Sequence, residues 1–136
     1  MRRVVVLCLV ICLLMTASAC YVYGAIEPSY STMSANYNSA SADLSINDGT
    51  AFVSGSLVGV RGTTTKATVH LYLQQYRNGE WINYGDWLES NDGRNCIVSR
   101  TISVPKGYTY RAKASCYAYA GSNSEHVTKY SSEVKY

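Results

Sequence analysis

From Ala42 onward, apolar residues recur at every second position: Ala42, Leu44 and Ile46, then Ala51, Val53 and Leu57 after a break at Asn47-Asp48-Gly49. A strand sends successive side chains to opposite sides, so this spacing predicts two half-buried strands joined by a turn. Gly59, Gly62 and Thr63 to Thr65 interrupt the pattern, and Ala67, Val69, Leu71 and Leu73 restore it, with Thr68, His70, Tyr72 and Gln74 on the other side. The returning strand runs from Trp81 to Leu88, after Arg77-Asn78-Gly79-Glu80, whose Asn-Gly pair tolerates the positive φ of a two-residue hairpin turn. Gly85-Asp86 marks a bulge in it, and Ser90 to Arg94 is a loop.

Cys96, Val98, Ile102 and Val104 continue the alternation. Beyond Pro105-Lys106-Gly107, Tyr108, Tyr110, Ala112, Ala114, Cys116 and Ala118 interleave with Thr109, Arg111, Lys113, Ser115 and Tyr117. A turn at Gly121 to Ser124 and a last strand over Val127 to Val134 complete about seven strands with no helical repeat among them. Regular spacing of that kind predicts an all-β fold, a single sandwich of the immunoglobulin or fibronectin type III kind over residues 42–136. Glu27 to Ser41, rich in Ser, Asn, Tyr and Ala without periodicity, reads as a flexible arm over about 26–41.

Upstream of the arm the pattern changes altogether. Arg2-Arg3 precede an unbroken apolar run, Val4 to Met15, and then the small residues Thr16-Ala17-Ser18-Ala19. This is the layout of a secretory signal peptide over 1–25, cleaved after Ala19 or near Gly24. The run reaches only about 18 Å as a helix, short of the roughly 30 Å of a hydrocarbon core, so no membrane span is expected in the mature form. Cleavage before Cys20 would leave that cysteine N-terminal, the arrangement in which bacterial lipoproteins are lipidated; Ala17, where such signals carry a larger aliphatic, favours plain secretion. The expected location is therefore secreted or at the cell surface, with a lipid anchor through Cys20 as the alternative.

Charge removes some classes of function. The formal charge is +3, and loss of Arg2 and Arg3 brings it to about +1. Arg61, Arg77, Arg94, Arg111 and Lys129 are interspersed with acids rather than gathered to neutralise phosphates, which argues against a nucleic-acid partner. A monomer is expected.

Cys96 and Cys116 remain after removal of the leader, in an oxidising compartment if the chain is exported. If the strands on either side of Pro105-Lys106-Gly107 form a direct hairpin, the two would face each other and a disulfide would add about 3 kcal/mol. The alternative is a pair of small buried thiols. No Cys-x-x-Cys occurs and neither His70 nor His126 has ligand types at a recognisable spacing, so no metal and no cofactor are expected.

Ile102-Ser103-Val104-Pro105-Lys106-Gly107-Tyr108-Thr109-Tyr110 resembles the E-to-F junction of fibronectin type III domains, where an apolar residue and Pro-x-Gly precede a strand-opening tyrosine. The resemblance implies that Tyr110 is the corner tyrosine and that the flanking strands belong to different sheets, which removes the hairpin argument for Cys96 and Cys116. Leu73-Gln74, Gly79-Glu80-Trp81, Trp87, Gly107 to Arg111 and Glu125 to Ser131 also resemble a family of short exported proteins of Gram-positive bacteria. That family has no assigned activity, so the likeness bears on fold and export and transfers no site.

Catalytic patterns are sparse. The chain lacks a Gly-x-Ser-x-Gly elbow, His70 and His126 read as surface histidines, and Asp86 with Glu89 or Asp92 reads as a solvated loop rather than a pair of carboxylates across a cleft. Gly55, Gly59 and Gly62 match no phosphate-binding loop. A non-enzymatic module is expected, contacting a protein or an envelope component. Tyrosine is the unusual component, at 13 positions, and alternation puts several rings opposite the core. Trp81, Tyr84, Tyr72, Tyr76, Tyr117 and Tyr119 are the candidate binding residues, for a glycan in the alternative reading, since amphipathic rings supply contact area at low entropic cost. A secreted antimicrobial or signalling polypeptide is a lesser alternative.

Overall fold

The computed structural model describes residues 34–136. The expected leader, Cys20 and the first part of the arm lie outside the described residues. The described chain is all β: β1 (Tyr37–Asn47), β2 (Thr50–Gly59), β3 (Lys66–Arg77), β4 (Glu80–Asn91), β5 (Asn95–Ser103), β6 (Thr109–Ala120), β7 (Asn123–Tyr130) and β8 (Val134–Lys135). Two antiparallel sheets form a sandwich. Sheet A has the order β1-β2-β5; sheet B has β4-β3-β6-β7, with β8 pairing the other end of β6.

Local chemistry explains the reversals. Asn78 and Gly79 have φ of 50° and 86°, the left-handed pair that a two-residue hairpin needs if its strands are to keep their natural twist. Asp48 and Gly49 repeat the device between β1 and β2. In β4 the ladder slips opposite Leu73 and Gln74, which pair with Gly85 and Asn83 and leave Tyr84 as the extra residue; the expected bulge is displaced by one position.

Inward residues fill the space between the sheets. Val53, Leu57, Val69, Leu71, Val98, Ala112, Ala114 and Ala118 form one cluster; Ala51, Leu73, Val104 and Tyr110 form a second. Small residues on β6 let the sheets close tightly, and a Cβ on Gly55 would lie 3.1 Å from that of Ala114. Such a separation leaves room for little beyond hydrogen at Gly55.

The crossing from β5 to β6 bears on the hairpin argument for Cys96 and Cys116. These strands lie in different sheets, so the direct hairpin does not form. The Tyr110 hydroxyl donates to the Pro105 carbonyl at 2.8 Å and accepts from Gln75 Nε2 at 2.6 Å, which makes it the corner tyrosine. Both cysteines are buried free thiols. Glu89, Val69 and Cys116 form one row across β4, β3 and β6. Cys96 Sγ, arriving from sheet A, lies 3.5 Å from the Glu89 carbonyl, at the far end of that row from Cys116. Cys116 Sγ points to sheet A, 3.8 Å from the carbonyl of Ser56, the residue before the Leu57 that pairs with Cys96.

The domain also starts earlier than alternation indicated. Tyr37 to Ser41 already pair with β2, and Ser41 Oγ meets Ser56 Oγ at 2.9 Å. Polar outward and inward positions there concealed the strand. At the other end, the single expected strand over Val127 to Val134 is divided into β7 and β8, with Ser131 Oγ taking the Ala112 N–H between them.

Candidate binding face

Alternation along β3 and β6 places Thr68, His70, Tyr72, Gln74 and Tyr76 beside Thr109, Arg111, Lys113, Ser115, Tyr117 and Tyr119 on the outer side of sheet B. β4 adds Trp81 and Asp86 at its margin, and β7 adds His126 and Tyr130. The structure therefore gathers Tyr72, Tyr76, Trp81, Tyr117 and Tyr119 on one surface. Tyr84 does not join them. The bulge turns its ring toward the sandwich, where it meets Tyr110 edge-on and its hydroxyl donates to the Ser103 carbonyl at 3.2 Å.

The rings on this surface largely cover one another. His70 and Tyr72 stack at 4.1 Å between centroids, Tyr117 and His126 at 4.4 Å, and Trp81 tilts against Tyr76. Cations cover much of the rest. The guanidinium of Arg111 lies 4.1 Å from the Trp81 ring and 4.4 Å from that of Tyr130, Lys113 lies over Tyr72, and Lys66 over Tyr119. Each such contact contributes on the order of 0.5–1 kcal/mol at an exposed site. The surface thus presents ring edges, hydroxyls, imidazoles and cations, not bare stacking faces.

Hydrogen bonds fix several of these groups. The Tyr72 hydroxyl meets His70 Nδ1 at 2.7 Å, and burial, reinforced by the Asp86 carboxylate across the ladder, pushes that phenol up and keeps its proton in place. Ser115 Oγ lies 2.7 Å from His126 Nε2, with Thr128 Oγ1 at 3.4 Å from the same nitrogen. A serine and histidine at that distance invite comparison with an activated nucleophile, but a hydrolytic site also needs a group orienting the imidazole. Among the described residues none does so, and the pair lies on an open strand surface. Asp86 faces outward on β4, Glu89 pairs with Arg100 at 3.3 Å at the sandwich edge, and Asp92 lies in the following turn, so these carboxylates do not converge.

A concavity of about 710 Å³ lies on the opposite sheet, lined by Asp43, Ser45, Phe52, Ser54, Ser99 and Thr101 among others. It holds hydroxyls, one acid and the Arg100 guanidinium, but none of the expected candidates. Among the described residues, no cluster of three His, Cys, Asp or Glu side chains is placed to hold a metal. Arg111, Lys113, Gln74 and Tyr130 were not singled out from the sequence. Their strand parity was legible; the lateral pairing that brings β4, β6 and β7 into one surface was not.

The described chain is an all-β sandwich of two antiparallel sheets, crossed by a tyrosine corner. No family model and no curated protein matches it. Among solved structures it is similar to the solution structure of CsgH from R. palustris, at 10% identity and a TM-score of 0.42, over 67% of this chain and 87% of that one. At that distance the likeness says nothing about ligand or role.

Proposed function

We propose that the protein is an exported, non-enzymatic binding module that engages an envelope component through the outer side of sheet B. Export rests on the leader-like N-terminus, with its basic start, apolar run and small residues. The binding assignment rests on one observation: aromatic and cationic side chains interleave across β4, β3, β6 and β7 on a single surface. Amphipathic rings and arginine are the residue types that concentrate at recognition surfaces, because they bury area at low entropic cost and still donate hydrogen bonds.

Retention on washed cell envelopes tests this reading. Tyr72→Ala, Trp81→Ala and Tyr117→Ala combined should reduce retention at least tenfold without changing the thermal midpoint by more than a few degrees. Phe52→Ala with Ile97→Ala, on the outer side of sheet A, should leave retention unchanged. Equal retention by all three proteins, or loss confined to the sheet A variant, would overturn the assignment. Bound material should be recovered chemically unaltered; turnover would point to an enzyme instead.

A further inference from the structure

We infer that Arg111 is the centre of a carboxylate-binding site on the outer side of sheet B, and that its ligand is an acidic polysaccharide. This rests on the preceding assignment of that side as the binding surface and specifies the ligand's chemistry.

The site is built across three strands. Asn83, Gln74 and Arg111 form one row on β4, β3 and β6. Gln74, only 7% exposed, accepts from Arg111 Nε at 2.9 Å and donates from its own Nε2 to Asn83 Oδ1 at 3.0 Å. The relay fixes the guanidinium by its inner nitrogen. The Trp81 and Tyr130 rings, from the rows on either side, then lie 4.1 and 4.4 Å from its central carbon. An arginine held in this way has lost most of its conformational freedom before any ligand arrives, so less entropy is lost on binding.

Its outer donors are free. Among the described residues, no carboxylate pairs with Arg111 and neither Nη has an acceptor. The two rings hold the guanidinium carbon and leave both Nη groups for an anion, which suits the parallel two-bond pairing of a flat carboxylate. Lys113, two residues along the same side of β6 and about 7 Å away, supplies a second cation. Two acids stand against these cations and Lys135, which lies opposite Thr109: Asp86, in one row with Tyr72 and Lys113, and Glu133, between Ser131 beside Ala112 and Val134 opposite Tyr110. The local balance is therefore positive and complementary to an acidic ligand.

The fold distinguishes among acidic ligands. An extended peptide gains affinity by adding a strand at a sheet edge, but the edges of sheet B are β4 and β7, whereas Arg111 lies on β6, an inner strand two strands in from β4. What this side offers instead is a lattice of side-chain donors and acceptors, Asn83, Thr109, Ser115 and His70 among them, matched to sugar hydroxyls around a carboxylate.

The test is titration of the full-length protein with an oligogalacturonate, its methyl ester and inorganic polyphosphate, each at low and high salt. The oligogalacturonate should bind, weaken with salt, and exceed the methyl ester at least tenfold. Arg111→Gln should lose at least tenfold in affinity. Arg111→Lys, which keeps the charge but not the planar fork, should lose nearly as much, and Gln74→Leu should weaken binding with the guanidinium left unpinned. Equal binding of acid and ester, tighter binding of polyphosphate, or full affinity in both Arg111 variants would overturn the inference. The two assignments fail separately: if envelope retention depends on Tyr72, Trp81 and Tyr117 but not on Arg111, the binding surface stands and the acidic glycan does not. If neither set of substitutions moves retention, both fall.

Discussion

The outer sides of the two sheets obey the same alternation and carry different chemistry. On sheet A, the row Asp43, Ser54 and Ser99 lies between Ser45, Phe52 and Thr101 on one side and Ser41, Ser56 and Ile97 on the other. These are mostly short hydroxyl side chains, with Phe52 and Ile97 as isolated apolar exceptions, 46% and 68% exposed. On sheet B the equivalent positions hold Tyr72, Trp81, Arg111, Lys113, Tyr117 and Tyr130. Solubility and strand propensity are satisfied by either set, since threonine, tyrosine and tryptophan all suit a pleated surface. Strand formation therefore does not explain why large rings and cations collect on one side only. Isolated exposed apolar residues are ordinary on a soluble domain, whereas a contiguous group of large rings and cations is the kind of surface on which the proposed binding role rests.

The contrast can be broken most forcefully by comparing adjacent residues of β3. Leu71 is fully buried and Tyr72 faces outward. Leu71→Ala should cost about 2–5 kcal/mol in urea unfolding, through lost burial and the cavity left behind. Tyr72→Ala should cost under about 1 kcal/mol and act on retention instead. If Tyr72→Ala destabilised as strongly as Leu71→Ala, the outer aromatic side would be a structural element, and its difference from sheet A would carry no functional meaning.

A second test uses the inward and outward residues of β6. Burial, with the nearby Cys96 thiol adding to it, pushes the Cys116 thiol up to about 11 from an ordinary value of 9.0. The unfolded chain releases this proton first, so the stabilisation is whole below pH 9 and is lost as pH rises toward 11. At about 1.4 kcal/mol per pH unit, the loss amounts to roughly 2–3 kcal/mol. Cys116→Ala should flatten the alkaline fall in stability by that amount, while Tyr117→Ala, its outward neighbour, should leave the slope largely intact.

Tyr110 and Arg111 give a smaller, sharper version of the same contrast. Tyr110→Phe removes the hydroxyl that joins Gln75 to the Pro105 carbonyl and strands a buried amide donor, at a cost of about 1–3 kcal/mol. Ligand affinity per folded molecule should not change. Arg111→Gln should lower affinity at least tenfold, while its lost ring contacts and its bond to Gln74 cost about 1–2 kcal/mol of stability. Parallel effects from both would mean that the corner and the binding surface are a single structural unit.

Much of this architecture was legible in the chain because burial imposes a period of two. Val69, Leu71 and Leu73, and Ala112, Ala114 and Cys116, declare their inward side without any knowledge of their partners. Asn78-Gly79 declares a reversal because few other pairs accept positive φ twice in succession. The corner at Tyr110 was readable from Pro105-Lys106-Gly107 only through resemblance; periodicity alone allowed a hairpin there equally well. Two kinds of information were not local. The side that Tyr84 faces is not legible in the chain, because a one-residue bulge reverses it and nothing in Trp81 to Leu88 fixes where the slip falls. Arg111 is not marked by its own neighbours in the chain, because its environment is made by Gln74, Trp81 and Tyr130, which are distant in sequence and meet only through the strand order of sheet B.

The smallest expected effect bears most directly on whether sheet A is a bystander. Ser54 and Ser99 lie directly opposite each other at the centre of its outer side and line the concavity there. Their hydroxyls face water, so replacing both by alanine removes groups that are already solvated in the unfolded chain. Stability should then change by less than about 0.5 kcal/mol. Envelope retention and oligogalacturonate affinity should be unchanged within error, because neither hydroxyl reaches the Arg111 row across the sandwich. A tenfold loss of retention in this double variant would relocate recognition to the concavity of sheet A, and the rings of sheet B would then be outer-side packing on a strand-rich surface.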